Sequence, residues 1–160
     1  MENIVIYSEC DMLNLGYLLG ELAKPGDLLF LFGELGAGKT TLTKGIAQGM
    51  GVSDLITSPT FQIQKNYQGR YPLCHLDLYR LQNPAELDVL DLDEILDQGV
   101  AVVEWGGLLR RRLQSSHLEI KIDFIPPNIN ARSVSIIPHG PEYNRYLTTR
   151  RSMADVNFRN

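Results

Sequence analysis

The segment GELGAGKT, which begins at Gly33 and ends at Thr40, has the residue types and spacing of a phosphate-binding loop. Gly36 and Gly38 let the backbone bend so that successive N–H groups point at phosphate oxygens. Lys39 adds a positive charge that can reach the β and γ phosphates, and the Thr40 hydroxyl can help to coordinate Mg²⁺. The segment therefore predicts a nucleotide triphosphate site.

The base of this nucleotide is indicated by two motifs that the sequence does not contain. Guanine-selective proteins with such a loop usually carry Asn-Lys-x-Asp and Asp-x-x-Gly, and neither pattern occurs anywhere in the 160 residues. We therefore expect ATP as the nucleotide.

A Mg²⁺ ion beside the triphosphate needs a carboxylate, and two acids are candidates. Glu104 follows the apolar run VAVV, where an acid would lie at the carboxyl edge of a sheet. Asp77 lies in HLDLYR, on a predicted strand that also carries His75. Thr60, in the segment SPTF, is positioned to sense the γ phosphate, although Ser-Pro-Thr alone is also typical of a turn.

The predicted elements around the loop are those of an α/β protein. Residues 28–32 are apolar on both faces, which is typical of a strand in the middle of a helix-covered sheet. A helix is predicted to follow the loop, and another buried strand covers 100–104. Before the loop, we predict a strand over 3–7 and a helix over 12–23 with Asp11 as its N-cap.

Two hairpins and short helical segments complete the pattern. Residues 61–67 and 70–79 alternate across a turn, with Pro72 favouring an edge position at its end of the second strand. Residues 118–124 alternate as well and pair with 131–137. Helical turns are predicted over 84–97 and 141–149.

The predicted fold class is a three-layer α/β domain of the P-loop NTPase type. Its central sheet is mixed and mainly parallel, with the hairpins added to it. The domain is expected to cover residues 1–150, and a basic, loosely ordered tail is expected over 151–160.

Composition is that of an ordinary globular protein, with 44% hydrophobic and 21% charged residues. Cys10 and Cys74 lie far apart and lack metal-ligand spacing, which indicates free thiols in a reducing compartment. No apolar run is long enough to cross a membrane, and the N-terminus lacks the pattern of a signal peptide. We therefore expect a cytoplasmic protein that is not associated with a membrane.

The net charge of −4 is divided unequally along the chain. Residues 1–104 carry six basic and fifteen acidic residues, whereas 105–160 carry nine basic and four acidic ones. The six acids of 84–97 are interpreted as a solvated face. The basic excess, including Arg110 to Arg112, is interpreted as a solvated helix end and tail, with a docking surface for RNA or an acidic partner as the alternative.

Four motifs in fixed order, GELGAGKTT, TSPTF, HLDLYRL and VVEW, closely resemble the TsaE family of bacterial P-loop ATPases. The resemblance covers about residues 9–125 and includes Leu15-Gly16 and the stretch from Asn83 to Leu87. After residue 125 the chain matches only in general character.

The resemblance implies a set of site residues. Gly36, Ala37, Gly38, Lys39, Thr40 and Thr41 would surround the phosphates together with Gly33. Thr40 and Glu104 would hold Mg²⁺, Asp77 would act as a second, Walker-B-like acid, and Thr60 would be a switch threonine. Trp105 would lie beside the nucleotide, and Glu9 would approach the adenine.

The resemblance also implies a role with the proteins TsaB and TsaD, which place threonylcarbamoyl on the adenosine beside the anticodon of tRNAs reading codons that begin with A. The chain would bind and hydrolyse ATP to keep that assembly turning over. Any tRNA contact is expected to be indirect or to involve the basic C-terminal region.

The residues themselves indicate slow hydrolysis by the isolated chain, because no arginine finger is evident and Arg80 is only the nearest candidate in sequence. Two alternatives remain open at this point. One is a small-molecule kinase, which would need a lid and an acceptor pocket. The other is a nucleotide-gated binding switch whose hydrolysis is incidental.

Overall fold

The computed structural model describes residues 1–57, 62–81, 83–149 and 153. Seven strands form its sheet: β1 (Glu2–Ile6), β2 (Leu28–Gly33), β3 (Gln64–Gln68), β4 (Pro72–Asp77), β5 (Val100–Glu104), β6 (His117–Ile125) and β7 (Asn128–His139). Four α-helices accompany them: α1 (Glu9–Leu22), α2 (Lys39–Gly49), α3 (Leu92–Gln98) and α4 (Gly107–Arg112). Two 3-10 helices cover Pro84–Val89 and Pro141–Thr148.

All seven strands belong to one mixed sheet with the order β1-β7-β6-β2-β5-β4-β3. The three central pairings, β6 with β2, β2 with β5 and β5 with β4, are parallel. The outer pairings are antiparallel and come from the two hairpins and from β1. The predicted α/β fold class with a mixed sheet, parallel at its centre, is confirmed.

The two central apolar strands have a hydrophobic core on each face. Leu29 and Leu31 of β2 face a core that includes residues of α1 and α2, whereas Leu28 and Phe30 face a second core against which α3 and α4 pack. Because successive strand residues point to opposite faces, an uninterrupted apolar run fits a strand covered by helices on both sides. The molecule therefore has the predicted three layers.

Helices α1 and α2 approach each other through glycines on both sides. A Cβ on Gly20 would lie 2.1 Å from the carbonyl oxygen of Ile46, and a Cβ on Gly49 would lie 2.0 Å from that of Tyr17. Real side chains do not make such contacts, so the backbones of the two helices are in direct contact here. This packing fixes α2, and with it the segment that precedes α2.

Two local predictions were wrong. Ser8, not Asp11, is the N-cap of α1: its hydroxyl accepts a hydrogen bond from the Asp11 backbone N–H, while the Asp11 carboxylate accepts one from the Tyr7 N–H. The Ser8 hydroxyl therefore caps the helix, and the Asp11 carboxylate holds the backbone one residue before the cap. Pro72 does not mark an edge strand, because β4 lies between β3 and β5 and Pro72 is merely its first residue.

The charged segments outside the core have the predicted solvated character. All six acids between residues 84 and 97 are exposed, and Asp91 caps α3 by accepting a hydrogen bond from the Glu94 N–H. In the basic run, Arg110 pairs with Glu119 and Arg112 pairs with Asp88.

Most of the predicted tail, 151–160, lies outside the described residues, and its loose order stays a prediction. Met153, the described residue of that range, is buried against the core that includes α1 and α2. None of the helices in the described part of the chain has both the length and the apolar character that crossing a bilayer needs.

Candidate nucleotide-binding site

The glycine-rich loop joins the end of β2 to the start of α2. Gly36 and Gly38 have φ angles of 77° and 111°, in the left-handed region that favours glycine, so the loop needs both residues in order to turn. A Cβ on Gly36 would meet no atom within 4 Å, which leaves the space over the loop open. The ammonium group of Lys39 donates to the carbonyl oxygens of Gly33 and Glu34, at 2.8 and 2.9 Å.

Both candidate acids lie at the carboxyl ends of neighbouring parallel strands. Asp77 ends β4 and is paired in register with Glu104, which ends β5. The Thr40 hydroxyl donates to Glu104 Oε2 at 3.2 Å, which joins the first turn of α2 to the end of β5. The fold thus brings three oxygen-bearing side chains, separated by up to 64 positions in sequence, to one edge of the sheet.

Glu104 is held in place by two further side chains. It is 2% exposed, and its Oε1 lies 2.9 Å from Nε2 of the fully buried His75. The Thr43 hydroxyl lies 3.2 Å from the same oxygen and 3.0 Å from the carbonyl oxygen of Lys39, and its single proton can serve one of the two. These contacts keep a buried carboxylate hydrogen-bonded and oriented towards Thr40.

Trp105 has an uncommon backbone conformation and covers one side of the loop lysine. Its φ angle is 58°, the left-handed region that a bulky residue rarely adopts and that costs about 1–2 kcal/mol. The Lys39 ammonium lies 4.0 Å from the centroid of the indole ring, and the centroid of the Tyr79 ring lies 4.9 Å from that of Trp105. The strained turn therefore directs the indole over the lysine.

Lys39 is a partly desolvated cation between two acids. Burial lowers its pKa from the ordinary lysine value, while the charges of Glu104 and Asp77 act in the opposite direction. An ammonium group with little water around it interacts more strongly with an anion than an exposed one does. The site can therefore attract a phosphate group.

A cleft of about 320 Å³ lies over these groups. Most of the predicted phosphate and metal ligands line it together with Trp105 and Tyr79. The described lining residues are Leu35, Gly36, Gly38, Lys39, Thr40, Thr41, Asp77, Tyr79, Glu104 and Trp105.

A second cleft, of about 490 Å³, lies on the other side of the loop and shares Gly36, Gly38 and Thr41 with the first. Glu9, at the start of α1, lines it, and so does Arg132 of β7. The two clefts therefore meet at the glycine-rich loop, with the predicted phosphate and metal ligands in the first and the predicted adenine contact, Glu9, in the second.

Arg132 fastens the loop from the far hairpin. Its Nε donates to the carbonyl oxygen of Ala37 at 3.1 Å, and a second nitrogen lies 3.4 Å from that of Gly36. The guanidinium carbon lies 4.0 Å from the centroid of the Phe124 ring. The β6–β7 hairpin therefore supports the glycine-rich loop that leads into α2.

The residues of the first cleft fit a nucleotide with Mg²⁺. Two glycines with positive φ angles, an open space at Gly36 and a desolvated lysine suit phosphate oxygens. Thr40, Asp77 and Glu104 offer only oxygen atoms, the ligands that Mg²⁺ prefers.

Of the predicted site residues, Thr60 lies outside the described residues. Gly33, the last residue of β2, lines neither cleft, and the other predicted residues line one or both. The sequence reasoning missed three residues that contact them: Thr43, His75 and Arg132. Thr43 lies one helical turn after Thr40 and His75 lies two residues before Asp77, spacings that place each pair on one face of its element.

A cleft of about 600 Å³ lies elsewhere, between β3 and α3, and it is larger than the two beside the loop. Its described lining residues come from β3, β4 and α3 and do not include the glycine-rich loop. Size alone would favour it. We place the candidate site at the loop because the convergent charged and glycine residues lie there.

Comparisons with known proteins agree with one another. The family model described as "Threonylcarbamoyl adenosine biosynthesis protein TsaE" matches residues 6–132. The curated "tRNA threonylcarbamoyladenosine biosynthesis protein TsaE" of Bacillus subtilis is 49% identical over 107 residues, 66% of this chain and 66% of that protein. The protein of the same name from Mycobacterium tuberculosis is 47% identical over 123 residues, 71% of this chain and 73% of that protein.

A solved structure extends the likeness over nearly the whole chain. The crystal structure of Bacillus subtilis YdiB matches with a TM-score of 0.76 and 33% identity, and the match covers 98% of this chain and 95% of that one.

Proposed function

The chain belongs to the TsaE family, and from that premise we propose that it binds and hydrolyses ATP in the modification of tRNA with threonylcarbamoyladenosine. In this proposal it acts with TsaB and TsaD on tRNAs that read codons beginning with A. The names of its relatives support the pathway, and the loop geometry supports the nucleotide.

One observation carries the proposal. The Thr40 hydroxyl, on the first turn after the glycine-rich loop, is hydrogen-bonded to a buried carboxylate at the end of β5. Phosphoryl transfer by P-loop enzymes uses a hydroxyl and an acid in these two places to hold Mg²⁺ against the β and γ phosphates. A glycine-rich turn that served only the fold would have no need of this buried pair.

The proposed roles follow from the lining of the first cleft. Gly36, Gly38 and Lys39 would hold the phosphates, and Thr40, Glu104 and Asp77 would hold Mg²⁺. When bound, Mg²⁺ supplies neutralisation of negative charge on the phosphate oxygens. The carboxylate of Asp77, which accepts a hydrogen bond from the Tyr79 N–H, faces the same cleft and would help to orient the attacking water.

Slow hydrolysis by the isolated chain is part of the proposal. None of the described residues that line the first cleft is an arginine. An arginine supplied to the transferring phosphoryl group accelerates such reactions by about 10³–10⁵. We therefore expect TsaD or TsaB to complete or order this site.

The partners and the location are proposed on the same basis. TsaB and TsaD are the expected partners, tRNA contact is expected to be indirect or through the basic C-terminal region, and the expected location is the cytoplasm. Arg110 and Arg112 already pair with Glu119 and Asp88, which leaves Arg111 as the arginine of this run for which the structure gives no ion pair among the described residues.

Steady-state phosphate release from Mg-ATP tests the proposal, measured for the chain alone and with a TsaB–TsaD pair. We expect a low rate for the chain alone and a clear increase with the pair. Lys39→Ala should abolish nucleotide binding, whereas Asp77→Ala should retain binding and lose most of the stimulated rate. Arg111→Ala, on the exposed side of α4, is the matched control and should leave the rate of the isolated chain unchanged.

The outcomes separate the three functions considered. Transfer of phosphate to a small metabolite would favour the kinase. Full activity of Asp77→Ala in tRNA modification would favour a binding switch. A fast isolated ATPase that ignores the pair would overturn the proposed partnership.

A further inference from the structure

Two histidines and one glutamate meet at the open end of the β6–β7 hairpin. His117 and Glu119 lie on one face of β6, and His139 of β7 is paired directly with His117. One nitrogen or oxygen atom from each of the three side chains lies within 4.8 Å of the corresponding atoms of the other two. These three side chains are called the His-Glu-His cluster below.

The His-Glu-His cluster is remote from the nucleotide site. β6 runs parallel to β2, and Ile122 is paired with Gly33, where the glycine-rich loop begins. His117 is five residues earlier on β6, so about 17 Å of strand separates the cluster from the loop. The chemistry of the cluster is therefore not that of the proposed ATPase site.

His117 is oriented in the way that metal-binding histidines are. Its Nδ1 lies 2.9 Å from the carbonyl oxygen of Ser115, an acceptor only, so Nδ1 carries the proton and Nε2 carries a lone pair. The edge-to-face contact with Phe30, at 87° and 5.3 Å between centroids, fixes the ring. A histidine that binds a metal through one nitrogen usually donates the other N–H to a carbonyl or carboxylate in this manner.

The lone pair of His117 is buried and unsatisfied. The residue is 7% exposed, and its Nε2 has no hydrogen-bond partner among the described residues. A buried acceptor without a partner has lost its hydrogen bonds to water without replacement, and a ligand at this position would satisfy it.

The other two members complete a ligand set of nitrogen and oxygen. The His139 ring stacks on that of His117 at 4.4 Å, and its Nε2 also lacks a hydrogen-bond partner among the described residues. That nitrogen lies 3.4 Å from Oε2 of Glu119. The side chain of His139 is 37% exposed, so an ion can reach the cluster from solvent and His139 can adjust to it.

Two cations beside Glu119 weaken metal binding at the His-Glu-His cluster but leave lone pairs of the carboxylate available. Arg110 Nε lies 2.7 Å from Oε2, and Lys121 Nζ lies 3.0 Å from Oε1. Each carboxylate oxygen has a second lone pair that can still be used. The positive charges nevertheless oppose a metal ion, so we expect weaker binding than in a structural zinc site.

We propose that His117, His139 and Glu119 form a binding site for a divalent transition-metal ion of the zinc class, with its remaining position open to water. Two imidazoles and a carboxylate suit Zn²⁺ or Co²⁺, whereas Mg²⁺ prefers ligands that are all oxygen. Tetrahedral Zn²⁺ with bonds of about 2.0–2.1 Å brings its ligand atoms to about 3.3 Å from one another. Because the lone pairs of stacked imidazoles lie in nearly parallel planes, the half-exposed His139 ring must turn out of its stack on His117 to share an ion with it.

Equilibrium titration with Zn²⁺ tests the site, with visible absorption of bound Co²⁺ as a second readout. All proteins carry Cys10→Ser, which removes the exposed thiol, and excess Mg²⁺ is present throughout to compete at the oxygen-only site. We expect one saturable ion and the visible bands of tetrahedral Co²⁺. His139→Ala should weaken binding about tenfold or more, as loss of a ligand requires.

Two further variants distinguish the cluster from incidental binding. Lys121→Met removes a half-exposed cation from Glu119 and should tighten Zn²⁺ binding, which a change of fold stability alone would not do. Asp77→Asn, in the proposed Mg²⁺ site, should leave Zn²⁺ binding unchanged. Failure of the parent protein to bind a saturable ion, or equal affinity of the parent and His139→Ala, would overturn the proposal.

Discussion

Glu104 is the residue on which most polar contacts of the candidate site converge. Thr40, Thr43 and His75 all reach its carboxylate, from α2 on one side and β4 on the other. Its importance was predictable, because an acid directly after a buried strand must be compensated. The partners of Glu104 were harder to predict. The sequence shows which residues share a face of a helix or strand, but not which side chains are close enough to bind the carboxylate.

His75 is expected to act through Glu104 and not on the nucleotide itself. His75→Leu removes the 2.9 Å contact to Oε1, which lets the carboxylate turn away from Thr40. We expect about a 10- to 100-fold loss of ATP hydrolysis, seen as a higher Mg²⁺ requirement. The measurement is the rate of phosphate release as a function of Mg²⁺ concentration.

The matched variant for this test is His75→Gln, whose amide nitrogen can reach the position of Nε2. In this variant the Mg²⁺ concentration required for hydrolysis should return most of the way to that of the unaltered chain. If both variants have the same Mg²⁺ dependence as the unaltered chain and differ only in stability, His75 has a structural role and no positioning role.

Cys74 gives the fold a predictable sensitivity to alkaline pH. Burial raises the pKa of its thiol from 9.0 to about 12. Between these values the unfolded chain releases the proton and the folded chain keeps it, so stability falls as pH rises. Below pH 9 both states keep the proton and the effect is absent.

Chemical denaturation at two pH values measures this effect. From about pH 8 to about pH 10.5 the protein should lose about 2 kcal/mol more unfolding free energy than Cys74→Ala does. The comparison with Cys74→Ala cancels the titration of lysines and tyrosines common to both proteins. Equal losses in the two proteins would mean that the thiol ionises in the folded state.

At the scale of elements, strong periodicity was read correctly, whereas the capping residue of α1 and the place of β4 in the sheet were not. The strands over 28–32, 100–104 and 118–124 were evident because their apolar pattern matches a buried or half-buried strand. The start of α1 was misplaced by attributing the cap to Asp11, since Ser8 and Asp11 both suit that role and only the backbone conformation decides between them. Pro72 was also open to two interpretations. Proline lacks a backbone N–H, and this is tolerated both in an edge strand and at the first position of an internal strand.

The contact between α1 and α2 makes Gly20 sensitive to the smallest substitution. Gly20→Ala would favour the helix by about 1 kcal/mol in isolation. In the fold, the added Cβ would lie 2.1 Å from the Ile46 carbonyl oxygen and force the helices apart. We expect a net destabilisation of about 1–3 kcal/mol by chemical denaturation.

Gly107→Ala is the control for this prediction, because a Cβ on Gly107 in α4 would meet no atom within 4 Å. It should leave stability unchanged or raise it slightly. If Gly20→Ala and Gly107→Ala change the free energy of unfolding equally, α1 and α2 have room to separate.

At the scale of the whole molecule, the candidate nucleotide site depends on β7, the last strand in the sequence among the described residues. Arg132 is 95 positions from Ala37, whose carbonyl oxygen it binds. Nothing in the local sequence of β7 indicates this contact, since it arises only when β6 pairs with β2 and β7 pairs with β6. Contacts of this kind depend on sheet order, and the resemblance, which is only general after residue 125, gave no other reason to assign a site residue there.

Arg132→Ala is expected to weaken nucleotide binding about tenfold, because a charged hydrogen bond that holds the loop in shape is worth about 1.5–3 kcal/mol. Calorimetric titration with a nonhydrolysable ATP analogue measures the affinity. Arg111→Ala removes the same charge from exposed α4 and should bind as tightly as the unaltered chain. Equal affinity of Arg132→Ala and Arg111→Ala would show that the loop keeps its shape without help from the hairpin.

The strained turn at Trp105 also gives this molecule an optical probe of its own. The chain contains one tryptophan, and its indole lies 4.0 Å from the Lys39 ammonium. A phosphate that draws the ammonium away from the ring must change the surroundings of the only indole fluorophore. Tryptophan emission therefore comes from a single indole in the candidate nucleotide cleft, and stopped-flow recordings can follow nucleotide arrival and departure without a label.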